Sequence, residues 1–308
     1  MQKHSFRSKE HGLLNKTRRT GVDRNRVRVL YIWNTAGALT PVANWLSKNG
    51  HDARIVMGSW YYKWGYISES DIMTMVEKPS NFFSVVREEI KRFKPTHIHV
   101  NSSISGLVIA RAMSPYIPIL FHYHGTDVRG RLYPHARVKF LADKSMVSTP
   151  DLKMYAEWWS CPVEEIFTYR GGRETGTAVT ILSPSVHFDF ENQAMKYAKM
   201  KNLKLTIVDC RKGEQVPHQD LPEFLSKFEY YLDFKGVRVP GALSLIGKEA
   251  YAVGCKVIHD SDLSKIVDDF IEKTPEDYLN LYLSLKPPSM LKTAARLAYC
   301  LPRAHLLK

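Results

Sequence analysis

Short runs of β-branched and aromatic residues alternate with amphipathic stretches along nearly the whole chain. No other feature of the sequence constrains the fold as much. Parallel strands need a crossover connection, usually a helix, so a sustained βα rhythm predicts parallel sheets covered by helices on both faces. The first run is 27–33 (Val-Arg-Val-Leu-Tyr-Ile-Trp). Asn34 to Gly37 follow, then a helix with Thr40 as N-cap and Pro41 at its first position. Val42, Trp45 and Leu46 share one face of that helix, Gly50 stops it, and a second strand spans 53–57. The rhythm continues with a helix at 81–93, a strand at 97–100, a buried helix at 106–113, strands at 118–123 and 144–148, and a helix at 151–159. Residues 168–177, rich in glycine and charge, read as a linker. A second series then places strands at 178–182, 203–208, 230–234 and 256–259, with helices at 191–199, 221–228 and 242–253 and more helix to the end.

The expected fold class is therefore α/β, with two Rossmann-like domains facing each other across a cleft. The expected boundaries are a basic flexible tail at 1–26, a first domain at 27–168, a second at 178–288 and a C-terminal helix at 289–308. In open parallel sheets ligands bind outside the carboxyl ends of the strands. The residues falling there are polar: Asn34 and Thr35, Asn101 to Ser103, His124 to Asp127, Ser148 and Thr149.

Composition narrows the function classes. The chain has 308 residues, 44% hydrophobic and 24% charged, which is globular composition rather than that of a disordered chain. No run approaches the ~18 apolar residues of a membrane-spanning helix, and the N-terminus lacks the apolar core of a secretory signal. Cys161, Cys210, Cys255 and Cys300 stand far apart with no Cys-x-x-Cys pair, so neither a zinc site nor a disulfide framework is expected. A reducing cytoplasm follows as the expected location, with peripheral contact to a membrane as an alternative. The net charge is +13, and residues 1–28 hold nine of the basic side chains against Glu10 and Asp23 alone. Such a tail attracts phosphates of nucleic acid or of anionic lipid, or else is a solvated arm.

Neither half contains G-x-G-x-x-G, a Walker A sequence, G-x-S-x-G or H-E-x-x-H. The segment 240–254 (Pro-Gly-Ala-Leu-Ser-Leu-Ile-Gly-Lys-Glu-Ala-Tyr-Ala-Val-Gly) carries more information. Pro240 and Gly241 precede a helix whose first-turn N–H groups form an anion site. Glu249 lies more than a turn along it, where it could accept hydrogen bonds from ribose hydroxyls or simply face solvent.

This segment with Val257-Ile258 resembles the donor-site motif of retaining glycosyltransferases with the two-Rossmann (GT-B) fold. His97-Ile-His99 followed by the run from Pro118 to Asp127 is similar to another pattern of that family, as are 144–152 and 216–225. The resemblance covers about residues 27–260. It implies transfer of a sugar from a nucleotide-sugar donor to an acceptor hydroxyl, with retention. The acceptor would bind the first domain and the donor the second. It places Ser244, Leu245 and their N–H groups at the donor pyrophosphate, Glu249 at the ribose, Val216 beside the base, and Gly37 where the backbone approaches donor and acceptor at the cleft. His124 would sit near the transferred sugar, with Asn34, Asn101 and Asp127 on the acceptor side. A buried structural histidine is the alternative for His124. The sequence departs from the pattern at Gly241, where the family often has a second Glu, and lacks its Arg…Lys phosphate pair, for which Arg238, Arg211 or Lys212 could substitute. No cofactor is implied, the nucleotide sugar being a substrate, and without an Asp-x-Asp motif no divalent metal is expected. The acceptor could be lipid-linked at an anionic membrane surface. A nucleotide-sugar epimerase of the same fold, and a basic nucleic-acid-binding or non-catalytic relative, are the alternatives. Two segments remain open: the aromatics from Trp60 to Tyr66 (acceptor wall, membrane patch or core) and 289–308 (basic amphipathic anchor or a helix docking across both domains).

Overall fold

A computed structural model describes residues 26–59, 71–124, 138–182, 189–234, 243–259, 266 and 273–305. The expectations for the basic tail up to residue 25, the Trp60–Tyr66 aromatics, Asp127, Arg238 and Gly241 lie outside these residues.

The described strands form two sheets, parallel throughout, and the fold class is the expected one: α/β, with two successive parallel sheets whose strands are joined by helices. The first sheet contains β1 (Arg28–Ile32), β2 (Asp52–Gly58), β3 (Met73–Val76), β4 (His97–Asn101), β5 (Ile119–Tyr123), β6 (Lys144–Val147) and β7 (Glu157–Trp158), in the spatial order 3-2-1-4-5-6-7. Its crossovers include α1 (Thr40–Lys48), α2 (Phe82–Phe93) and α3 (Ile104–Met113). The second sheet holds β8 (Glu174–Leu182), β9 (Lys204–Asp209), β10 (Phe228–Asp233) and β11 (Lys256–His259), ordered 11-10-8-9. Its helices are α4 (Asp189–Met200), α5 (Leu221–Ser226) and α6 (Leu245–Ala252). The chain closes with α7 (Pro275–Ser284) and α8 (Met290–His305). The central strands β1, β4 and β5 of the first sheet are buried on both faces, as a doubly wound sheet requires.

Local expectations fail in instructive places. Thr40 is the first residue of α1 rather than its cap, and its hydroxyl accepts from the Asn34 amide at 2.8 Å. The helix expected at 151–159 is a single 3-10 turn at Pro150–Leu152 followed by β7, because Glu157 and Trp158 pair with Met146 and Val147 at the sheet edge. The strand expected from 178 begins at Glu174, inside the expected linker, where the Glu229 carboxylate accepts from the Gly176 N–H at 2.7 Å.

The largest correction is to the domain boundary. Residues 275–284, expected within the second domain, join the first: Tyr278 and Tyr282 of α7 are fully buried beside Val29, Leu46 and Leu120. The final helix, α8, packs on α3. Arg296, which a basic amphipathic anchor would leave exposed, is buried, its guanidinium 2.6 Å from Asp143, which also pairs with the fully buried Arg111 of α3 at 2.6 Å.

Candidate functional site

The first sheet reverses its winding between β1 and β4, and a crevice opens at such a switch point. The chain just past both strands is held in an unusual conformation. Trp33 and Ser102 adopt φ of +68° and +57°, a region that side-chain-bearing residues seldom occupy. Strain of this kind collects at functional sites. The Thr35 hydroxyl donates to the Ser102 hydroxyl across the crevice at 3.3 Å. Gly37 is buried at φ +73°, a value that suits glycine. Asn34 is spent on the fold: its amide accepts from the Leu39 N–H at 2.9 Å and donates to Thr40. Asn101 differs, since it is fully buried and neither end of its amide has a hydrogen-bond partner.

A polar seam runs under this crevice. Tyr31 and His99 are neighbours on β1 and β4, and Asn101 pairs in register with His122 on β5. The Tyr282 hydroxyl lies 2.8 Å from Nδ1 of His99 and donates to Tyr31 at 3.1 Å. His99 stacks on His122 with ring centroids 5.5 Å apart, and His122 sits 4.5 Å from His124 at the strand end. Burial holds His99 and His122 well below the usual histidine range, and the neighbouring imidazoles add to this, so both are neutral near pH 7. Cys161, in the segment after β7, brings its sulfur to the same place as His122 and His124.

In the second sheet, β10 and β8 flank the corresponding switch point, and Asp233 ends β10. Ser244 caps α6, its hydroxyl accepting from the Gly247 N–H at 2.7 Å. The Asp233 carboxylate accepts from the Ser244 N–H at 2.6 Å and lies so near Gly247 that a β-carbon there would meet it at 2.5 Å. A carboxylate therefore already answers the positive end of this helix. Leu245 opens α6 half-buried, and Val216 packs into the second core with Phe167 and Leu221. Glu249 is 3% exposed, with one oxygen 3.5 Å from Nε2 of His218. Glu164 shares the cluster; burial, then the nearby Glu249 charge, pushes its pKa up. Arg211 is engaged by Asp209 and Glu191, both at 2.7 Å, and Lys212 leans on Asp209 at 3.3 Å.

The two units meet through Lys248 of α6, whose ammonium donates to the Cys161 carbonyl at 3.2 Å. Ser244, Leu245 and Glu249 thus share one helix beside the strand-end histidines of the first sheet. Sequence reasoning missed His218, Glu164, Asp233 and Lys248 because each acts through a neighbour distant in sequence. It missed Trp33 and Ser102 because nothing in a tryptophan or serine announces positive φ. Among the described residues no helix is long and apolar enough to cross a membrane.

No protein-family model matches the chain, and no curated protein matches it either. Solved structures with a related layout include the UDP-GlcNAc 2-epimerase from Neisseria meningitidis bound to UDP-GlcNAc, 13% identical over 88% of this chain and 94% of that one, with a TM-score of 0.47. The UDP-GlcNAc 2-epimerase from Methanocaldococcus jannaschii is 12% identical over 90% and 99%, with a TM-score of 0.45. The glycosyltransferase SnogD from Streptomyces nogalater is 10% identical over 91% and 99%, with a TM-score of 0.41. Likeness at this level assigns neither substrate nor reaction.

Proposed function

We propose that this protein is a glycosyltransferase that moves a sugar from a nucleotide-sugar donor to an acceptor hydroxyl with retention. One observation carries the reading: α6, the helix whose sequence resembles a donor site, buries Glu249 and reaches the Cys161 segment that follows β7 through Lys248. A departing nucleoside diphosphate develops negative charge, and helix N–H groups with a nearby ammonium stabilise it. In this reading Ser244 and Leu245 face the diphosphate and Glu249 holds the ribose. The acceptor enters over Gly37 and Asn101, and His124 steadies the sugar or the attacking hydroxyl.

The carboxylate of Asp233 at the start of α6 favours a second reading, a non-catalytic relative, because it must swing aside before a diphosphate can approach. Calorimetry with nucleoside diphosphates and their sugars separates the two. The first reading expects binding that Glu249→Gln weakens about tenfold or more, a lost hydrogen bond to a charged group contributing ~1.5–3 kcal/mol. It also expects release of nucleoside diphosphate that depends on an acceptor; an epimerase would instead yield the epimeric nucleotide sugar without one. A folded protein that binds none of these compounds would overturn the proposal.

A further inference from the structure

We propose that His122, His124 and Cys161 form a binding site for a single zinc ion or a similar divalent transition-metal ion. One ligand atom from each side chain lies within 4.8 Å of the other two. Around tetrahedral zinc, nitrogens at about 2.0–2.1 Å and sulfur at about 2.3 Å stand roughly 3.3–3.6 Å from one another. Side-chain rotations of about an ångström close that gap. Three protein ligands leave the fourth vertex to water or to a ligand, the pattern of an open zinc site.

His122 supplies an independent reason. It is fully buried, and neither ring nitrogen completes a hydrogen bond, although the Trp159 backbone lies close enough to favour a proton there. A buried imidazole without hydrogen bonds is costly. It cannot withdraw, because β5 is paired on both sides by β4 and β6. An ion takes the lone pair of one ring nitrogen, and the Trp159 backbone lies within reach of the ring's other side. His99, stacked behind His122 and tied to Tyr282, fixes the ring's orientation as outer-shell groups do. Lys248 fixes the Cys161 segment through its carbonyl.

The ligand chemistry selects the ion. Two imidazoles and a thiolate suit zinc, whereas magnesium and calcium take oxygen ligands. On binding, the Cys161 thiol releases its proton to solvent and a sulfur lone pair forms the bond to the metal, with no change of oxidation state. The thiolate charge offsets the neighbouring Lys248 ammonium. A bound ion would take the His124 imidazole, so a metal found here would rule out the catalytic role given to His124 above. The deciding measurement is made on the resting protein, so its outcome is independent of whether sugar transfer occurs.

The test uses the full chain, stripped with a chelator and titrated with cobalt(II) chloride. The expected result is one cobalt per chain, with thiolate-to-cobalt charge-transfer absorption and the visible bands of a tetrahedral site, both displaced by zinc. Cys161→Ser should abolish the charge-transfer band, and His122→Gln should weaken binding by at least about 100-fold, more than loss of an outer-shell partner does. Cys255→Ser should change neither. Absence of the band in the folded wild type, or its survival in Cys161→Ser, would overturn the proposal. If Cys161→Ser fails to fold, X-ray absorption of the zinc-loaded wild type decides. One sulfur in the zinc shell supports the site, and none, or more than one, refutes it.

Discussion

His218 and Glu249 face each other at 3.5 Å with Glu164 nearby. Burial alone would lower the His218 pKa, but Glu249 and then Glu164 more than offset it, so the value is raised above the ordinary 6.5. A histidine that holds its proton more tightly when folded stabilises the protein fully below 6.5, and that stability is lost as pH rises through the raised value. His218→Gln should therefore cost most at about pH 6, with the difference from wild type shrinking through neutral pH into mild alkali. Urea unfolding across pH checks this, and a pH-independent difference would mean that the pair is not ionised. Asp233 offers a second test at this scale. Its carboxylate complements the α6 dipole, a contribution of ~0.3–1 kcal/mol, yet repels any diphosphate brought to the same N–H groups. Asp233→Asn keeps an acceptor for the Ser244 N–H and removes the charge. Slightly lower stability is expected, together with nucleoside diphosphate affinity raised by about tenfold or more, since like charges a few ångströms apart repel by several kcal/mol near a protein surface. Calorimetry on both proteins reads it, and unchanged affinity would place the diphosphate elsewhere.

At the joint between α3, α8 and β6 buried charges join the apolar contacts of Tyr299 and Cys300. Asp143, just before β6, accepts from Arg111 and Arg296, both at 2.6 Å, and from the Ile119 N–H at 2.8 Å. Arg111 and Arg296 also donate to the carbonyls of Leu141 and Ala142 at 2.9 and 2.8 Å. Breaking a buried ion pair from one side strands the other charge, which costs ~3–5 kcal/mol. Asp143→Ala strands two arginines and is expected to lose at least that much, read as a lower urea midpoint. Hydrogen exchange should show α8 opening first. A loss below ~1 kcal/mol would mean that α8 is held by its apolar contacts. Elements whose partners are local could be placed from sequence within a residue or two, as with α2 and β11. The expected helix at 151–159 failed because pairing at a sheet edge overrode helical periodicity over a short stretch.

At the scale of the whole molecule, the chain returns to where it began. After completing the second sheet it sends α7 and α8 back to the first unit, so residues near 280 finish a core started by residues near 30. Tyr278 and Tyr282 are fully buried there, and Leu281 nearly so. A fragment of residues 26–168, cut at the boundary that the βα rhythm alone indicates, lacks all three. Losing one such large side chain commonly costs 2–5 kcal/mol, against a typical total of about 5–15. The fragment should therefore show no cooperative unfolding transition, while the full chain does. A sharp thermal transition in the fragment, followed by near-UV circular dichroism, would show that the first sheet is self-sufficient.

By itself the sequence determined the α/β class, the two parallel series and the strand ends that line the crevices. These depend on periodicity, turn residues and the need for crossovers, all of which act between near neighbours. The resemblance of 240–254 to a donor-site motif, itself a local pattern, also singled out Ser244 and Glu249. Only the tertiary structure decided what those parts meet. It spent Asn34 on a turn and Arg211 on Asp209, set Asp233 at the mouth of α6, and gathered His122, His124 and Cys161. It also assigned α7 to the first unit. The physical reason is the same in each case. Hydrogen bonds, ion pairs and burial depend on distance in space, and segments far apart along the chain carry no mark of which partner the packing will bring within 3–4 Å.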